Sequence, residues 1–202
     1  MNIDPYFELI PQSQSDQLLR GWGYDLLREY FSIAQQLPVT NSPVIELATG
    51  TGRMCATLSC IFPTILSGDI TLNDLPRVYQ RIPEQFMERV NFVQLDMEAL
   101  PFPSKSISTL VCLNTMHEVS HPHLCLQEMI RVMNPKGTLV IGDFNQTGFD
   151  TMRRIHEIVY HNDHQEGFIS TDEIEKILTS SFHYVHSVTT PLNITYFASD
   201  KR

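Results

Sequence analysis

The chain has 202 residues, 42% of them hydrophobic, which suffices for one domain with a substantial core. Fourteen basic side chains against 23 acidic ones give a net charge of −9, and no basic run exceeds Arg153-Arg154, a balance that argues against nucleic acid and anionic membrane surfaces as partners. No stretch approaches the ~20 continuous apolar residues that span a bilayer, and Met1-Asn-Ile-Asp-Pro-Tyr6 carries no secretory pattern, so the expected location is the cytosol.

Residues 5 to 37 read as helical, because Leu18, Leu19, Trp22, Leu26, Leu27, Tyr30, Phe31 and Ile33 recur at intervals of three and four. Residues 1–38 are therefore expected as an N-terminal helical lid, closed by Pro38 and Pro43. From Val44 short apolar strands alternate with helical segments, which implies βαβ units and a parallel sheet with right-handed crossovers. Strands are expected near 43–48, 64–69, 90–95, 107–113, 137–143, 183–190 and 193–199. Asn134-Pro-Lys-Gly137 reads as a break before the fifth strand. Ser170-Thr-Asp-Glu173 has capping-box spacing and predicts a helix from about Ser170. Only Pro191-Leu192 separates the last two strands, which requires an antiparallel hairpin. The whole of 1–202 is expected to form one domain, with a ligand-binding core over 43–145 and late helices and a hairpin over 146–202. Cys55, Cys60, Cys112 and Cys125 lack metal-type spacing and read as buried free thiols.

Val44-Ile-Glu-Leu-Ala-Thr-Gly-Thr-Gly52 is the most informative stretch. Val44, Ile45 and Leu47 suit a buried parallel strand, while Gly50 and Gly52 permit positive φ and let a ligand approach bare backbone before a helix that starts near Arg53. Glu46 falls near the carboxyl end of that strand, where open α/β sheets bind ligands. The dinucleotide fingerprint needs a third glycine three residues after the second. Cys55 occupies that position, which weakens a nicotinamide reading. Asp69, 17 residues after Gly52, ends the next apolar segment and can accept both hydroxyls of a ribose. Asp96-Met97 ends a third, where a carboxylate can accept from an adenine amino group.

In this order the landmarks resemble the class I S-adenosylmethionine-dependent methyltransferases, most closely the small-molecule group typified by ubiquinone and menaquinone C-methyltransferases, over roughly residues 43 to 145. Glu46 to Gly52 matches the family's first motif, Asp69 its ribose acid and Asp96-Met97 its adenine pair. Leu100-Pro-Phe-Pro, Ile107 to Asn114, Glu128 to Gly137 and Thr138 to Asp143 resemble the remaining landmarks. The resemblance implies an α/β, Rossmann-like doubly wound seven-stranded sheet of order 3-2-1-4-5-7-6, the last strand antiparallel, flanked by helices. It implies S-adenosyl-L-methionine as cofactor, S-adenosyl-L-homocysteine as product and a small-molecule acceptor. It also implies a cofactor-binding set of Glu46, Ala48, Gly50, Gly52, Arg53, Asp69, Ile70, Asp96, Met97 and Asn114. Ala48 stands where the family usually has glycine and adds one methyl to the turn.

Methyl transfer from a sulfonium is an in-line displacement, so positioning dominates: alignment can recover on the order of 7–11 kcal/mol, whereas a general base contributes ~10²–10⁴-fold. The loop Asn114-Thr-Met-His-Glu-Val-Ser-His121 is expected to face donor and acceptor. His117 is the first candidate for general base or acceptor-orienting group, with Glu118 and His121 behind it. The bland reading is that His117 packs over the adenine or caps the loop. His117-Glu-Val-Ser-His121 also matches the H-E-x-x-H zinc pattern, which requires both histidines on one helical face and a third ligand. Here the pair follows a predicted strand directly, and Pro122 marks a helix only starting. No metal ligand is expected beyond adventitious zinc at His117, His121 and His123.

Tyr160-His-Asn-Asp-His164 reads either as a loop over the acceptor pocket or as a solvated connection. Trp22 and Tyr24 read either as a cation–π cover over the sulfonium or as lid packing. Arg20 and Asp25 read as surface charges. A methyltransferase is thus the leading reading, a non-catalytic donor-binding sensor or partner subunit the second, and a zinc hydrolase through His117, Glu118 and His121 a remote third.

Overall fold

Alternation with period two decides which face of the sheet each apolar residue covers. In the computed structural model, which describes residues 4–164, 167 and 169–202, seven strands form one sheet: β1 (Val44–Leu47), β2 (Ile65–Asp69), β3 (Val90–Gln94), β4 (Ile107–Leu113), β5 (Met133–Phe144), β6 (Phe182–Thr189) and β7 (Asn193–Lys201). Their order is β3-β2-β1-β4-β5-β7-β6, and β7 runs antiparallel to both of its neighbours. Ile45, Leu47, Leu110, Cys112, Leu139 and Ile141 pack on one face against α6 (Pro122–Val132) and α8 (Thr171–Ser181). Val44, Val111, Leu113 and Val140 face the opposite way. There they meet α2 (Gln14–Gly21), α3 (Leu26–Ala34), α4 (Arg53–Ile61) and α7 (Gln146–Ile155). Leu110 and Val140 are fully buried in this central pair of strands, where truncation of a leucine to alanine typically costs about 2–5 kcal/mol. All four cysteines are buried and free.

The helical stretch expected over 5 to 37 is three helices. After α1 (Asp4–Phe7) the chain breaks before Pro11, and a second break at Gly23, φ +88°, separates α2 from α3. Ser13 and Asp16 cap α2 reciprocally, and Asp25 accepts from Arg28 N to cap α3. Two further expectations need correction. The Asn134–Gly137 break lies inside β5: pairing with β4 jumps from Ile107↔Met133 to Thr109↔Thr138, so the intervening residues bulge out of the ladder. Only half of the capping box at α8 forms, with Ser170 accepting from Glu173 N, because the Glu173 carboxylate pairs with His123 at 2.8 Å.

Charge holds the lid to the helices that flank the sheet. The Asp16 carboxylate, 4% exposed, accepts from Arg53 Nε and from Arg81 Nη1, each at 2.7 Å. Arg81 lies at the end of α5 (Leu75–Arg81), and its Nε also donates to Thr51 O at 3.0 Å. Burial alone would raise the Asp16 pKa, but the two guanidinium groups outweigh it and hold the carboxyl well below its ordinary 3.8. On the other side of α3, the buried Glu29 accepts from Thr190 Oγ1, Leu192 N and Asn193 Nδ2 and so ties the lid to the β6–β7 turn.

Because the folded-state pKa of Asp16 is depressed, its contribution is present above the unfolded carboxylate range and is lost as pH falls below about 4. Asp16→Asn, which leaves two buried guanidinium groups uncompensated, is expected to cost about 3–5 kcal/mol at neutral pH. Urea unfolding of both proteins from neutral pH downward should show the gap narrowing in acid; an equal gap at all pH values would contradict this role.

Candidate active site

At the carboxyl end of β1 the backbone reverses through three left-handed residues: Ala48 at φ +61°, Gly50 at +49° and Gly52 at +78°. A side chain in this region costs roughly 1–2 kcal/mol, so Ala48 carries strain that glycine would not. At Gly52 a Cβ would stand 2.8 Å from Val78 Cγ1, so the turn presses directly onto α5. The bared Gly50 N donates to Asp69 Oδ2 at 2.9 Å, and Thr71 N donates to Asp69 Oδ1 at 3.3 Å. Asp69 therefore orders the loop from the end of the neighbouring strand. Glu46 is buried beneath the loop and accepts from Ser67 Oγ at 2.5 Å. Burial pushes its pKa up to about 8, against the lowering effect of hydrogen bonds from Ser67 and Cys55, so this carboxyl holds its proton at neutral pH.

These residues line a cavity of about 620 Å³. On the side of the sheet where β2 and β3 end, the lining includes Gly50, Asp69, Ile70, Asp96 and Met97, with Ile70 66% exposed. On the side of β4 and β5 it includes Tyr30, Glu118, Phe144, Met152, His156 and His164. Between them stands Asn114, at φ +54° where β4 ends; its Nδ2 donates to Tyr30 OH at 2.8 Å, and its Oδ1 is buried without a partner. Ala48 also lines the cavity, whereas Gly52 backs onto Val78 and shapes the turn from behind. Arg53 borders the cavity, with its guanidinium held by Asp16 and Ser15.

His117 and Glu118 leave β4 in a turn, not a helix. His117 is 2% exposed; its Nδ1 lies 2.6 Å from Asp143 Oδ1, and its backbone N donates to Asp143 Oδ2 at 2.9 Å. Its Nε2 is buried without a hydrogen-bond partner, 3.5 Å from Glu118 Oε1. Burial alone would lower the His117 pKa, but the hydrogen bond and charge of Asp143, with Glu118 behind, lift it to about 9. With Nδ1 committed to Asp143, the one ring nitrogen left to act is Nε2, which faces the Glu118 carboxylate.

His121 does not join this cluster. Its ring sits outside the cavity, mostly exposed, with Nδ1 2.9 Å from Glu98 Oε1. The H-E-x-x-H geometry is therefore not formed, because α6 begins only at Pro122 and the two histidines never share a helical face. His123 turns away to Glu173. Trp22 and Tyr24 pack among the lid residues rather than over the cavity, Trp22 beneath the Arg154 guanidinium at 4.1 Å. Of the polar group at 160–164, Tyr160 and His164 reach the cavity, while His161, Asn162 and Asp163 are exposed. Asp143, Tyr30 and His156 escaped the sequence reading as site residues; the position of Asp143 at the carboxyl end of a central strand was the one available signal.

Residues 39–189 match the family model Methyltransf_31, a methyltransferase domain, and the chain belongs to that family. It is 28% identical over 121 residues to a ubiquinone/menaquinone biosynthesis C-methyltransferase, UbiE, of Shewanella woodyi, covering 57% of this chain and 47% of that protein. It is 27% identical over 136 residues to a demethylmenaquinone methyltransferase of Clavibacter sepedonicus, covering 67% and 55%. The chain thus spans about half the length of the curated relatives it matches. Among solved structures, a SAM-dependent methyltransferase from Aquifex aeolicus superposes with a TM-score of 0.60 at 16% identity, over 85% of this chain and 89% of that one. The CurJ carbon methyltransferase superposes with a TM-score of 0.66 at 14% identity, over 86% and 54%. At these identities the likeness concerns the fold.

Because the folded-state pKa of Glu46 is raised, its stabilising share is present at low pH and is lost as pH rises toward 8. Glu46→Gln, which keeps the shape and removes the ionisation, is expected to raise the melting temperature of the ligand-free protein at pH 8 and change it little at pH 5. Thermal scans at both pH values check this; a uniform loss at both would contradict it.

Proposed function

We propose that this chain, working as one domain, transfers the methyl group of S-adenosylmethionine to oxygen, nitrogen or carbon of a small-molecule acceptor. The observation that carries the reading is the convergence in one cavity of the left-handed β1 loop, Asp69 and Asp96, with a second, partly apolar end beyond Asn114. In this reading Gly50 and Glu46 meet the amino-acid part of the donor, Asp69 its ribose, and Asp96 with Met97 its adenine. The acceptor then occupies the end lined by Tyr30, Phe144 and Met152 and is oriented from the His117–Glu118 turn. The methyltransferase relatives support the reaction class, and the quinones in their names support a small acceptor.

Asp69→Ala tests the donor site. Charge-assisted hydrogen bonds contribute roughly 1.5–3 kcal/mol, so S-adenosylmethionine should bind about 10-fold or more weakly to this variant in equilibrium dialysis. A folded variant with unchanged affinity would remove Asp69 from the site.

A further inference from the structure

Where Glu118 and His164 line the cavity, with His117 buried behind them, lies a side-chain cluster that methyl transfer by positioning alone does not require. One ligand-type atom from each of His117, Glu118 and His164 lies within 4.8 Å of the other two. His117 Nε2 is the telling atom: the residue is 2% exposed, its Nδ1 is committed to Asp143, and Nε2 is buried without a well-formed hydrogen bond, its near polar neighbour being the Glu118 carboxylate at 3.5 Å. An unsatisfied buried nitrogen costs about 1–3 kcal/mol unless something meets it. A carboxylate on the far nitrogen is the arrangement that orients an imidazole toward a metal ion.

His164 reaches the cluster from the loop after α7, whose last turn widens into a π-helix over His156–Tyr160 and aims both His156 and Tyr160 at the cavity. Such turns are frequent at functional sites. The same loop is pressed against the turn after β4, since a Cβ at Gly167 would stand 2.2 Å from His117 Cα. The His117 and His164 rings consequently lie 4.9 Å apart, centroid to centroid. Glu118 is exposed and borders the cavity, as does His164.

We propose that His117 Nε2, the Glu118 carboxylate and His164 bind one divalent cation of the zinc type, leaving a coordination position open to the cavity for an oxygen of the acceptor. Two imidazoles and a carboxylate are a ligand set of catalytic zinc sites, which keep a fourth position for water or substrate. A bound cation would hold a phenolate or enolate oxygen of the acceptor as an anion next to the donor methyl. The chemical class of acceptor is thus a small molecule with an ionisable oxygen. This last step rests on the methyl-transfer reading, whereas cation binding does not. The third ligand comes from a residue far along the chain, not from the H-E-x-x-H partner that the sequence offers.

The test uses the full chain, stripped with a chelator and titrated with cobalt(II) alone, then displaced with zinc(II). The expected result is about one cobalt per chain with the visible bands of a four-coordinate ion. His164→Ala should abolish those bands and His121→Ala should leave them unchanged. Asp143→Asn should weaken binding ~10–100-fold, as loss of an orienting partner does. Thermal melts of the metal-free variants verify that each is folded, and His164→Ala keeps the test decisive if Asp143→Asn does not fold. No saturable cobalt binding, or binding that survives His164→Ala, would overturn the proposal. Titration of the same samples with S-adenosylhomocysteine separates the two readings: donor binding without cobalt binding overturns the cation site alone, and cobalt binding without donor binding leaves it standing while the methyltransferase reading fails.

Discussion

The buried Asp16 carboxylate is the contact on which the geometry of the site depends. It sits between Arg53, the first residue of α4, and Arg81, which in turn holds the carbonyl of Thr51 within the β1 loop. One side chain from the lid thereby fixes both the helix that follows the loop and the loop itself. Removing a partner from such a buried pair costs more than the pair gains by existing, because the remaining charge has no water. Strain in the loop, concentrated at Ala48, is accordingly held in place by contacts outside the site. Glu29 adds a second attachment, so α2 is held to α4 and α5 and α3 to the β6–β7 turn.

The cavity divides its chemistry between two ends of the same strand edges. Asp69 ends β2 and Asp96 follows β3, where both residues reach solvent and need no buried partner. His117 follows β4 and Asp143 lies at the end of β5, near the middle of the sheet, where both are buried and pair through His117 Nδ1. Depth alone thus separates a solvent-facing carboxylate pair suited to hydroxyl and amino donors from a buried imidazole–carboxylate pair suited to holding a proton or a cation. The His164 pKa illustrates the same local field: burial, then the neighbouring His117 and His156, lower it to about 4.

What could be read in the sequence was local. The β1 loop, Asp69 and Asp96 announce themselves because a strand, a glycine turn and an acid at a strand end are encoded within a few residues, and the strand order followed from the resemblance. Asp16 could not be read this way. Its partners lie 37 and 65 residues away, and a lone acid in the first turn of a helix looks like a capping residue, which Asp16 also is. The polar group at 160–164 was visible, but its pairing with His117 depends on a π-turn and a tight backbone approach that leave no pattern in the chain. The H-E-x-x-H spacing misled for a definable reason: it carries meaning only on a helix, and here the helix starts at Pro122, after the second histidine.

The measurement that bears most directly on this account is a crystal structure of the protein with S-adenosylhomocysteine. The account places the ribose on Asp69, the adenine beside Asp96 and Met97, and the amino-acid part against Gly50 and Glu46, with the thioether sulfur directed toward Asn114 and the His117–Glu118 turn. Ligand density elsewhere on the molecule, or none at saturating ligand with the β1 loop unchanged, would contradict it.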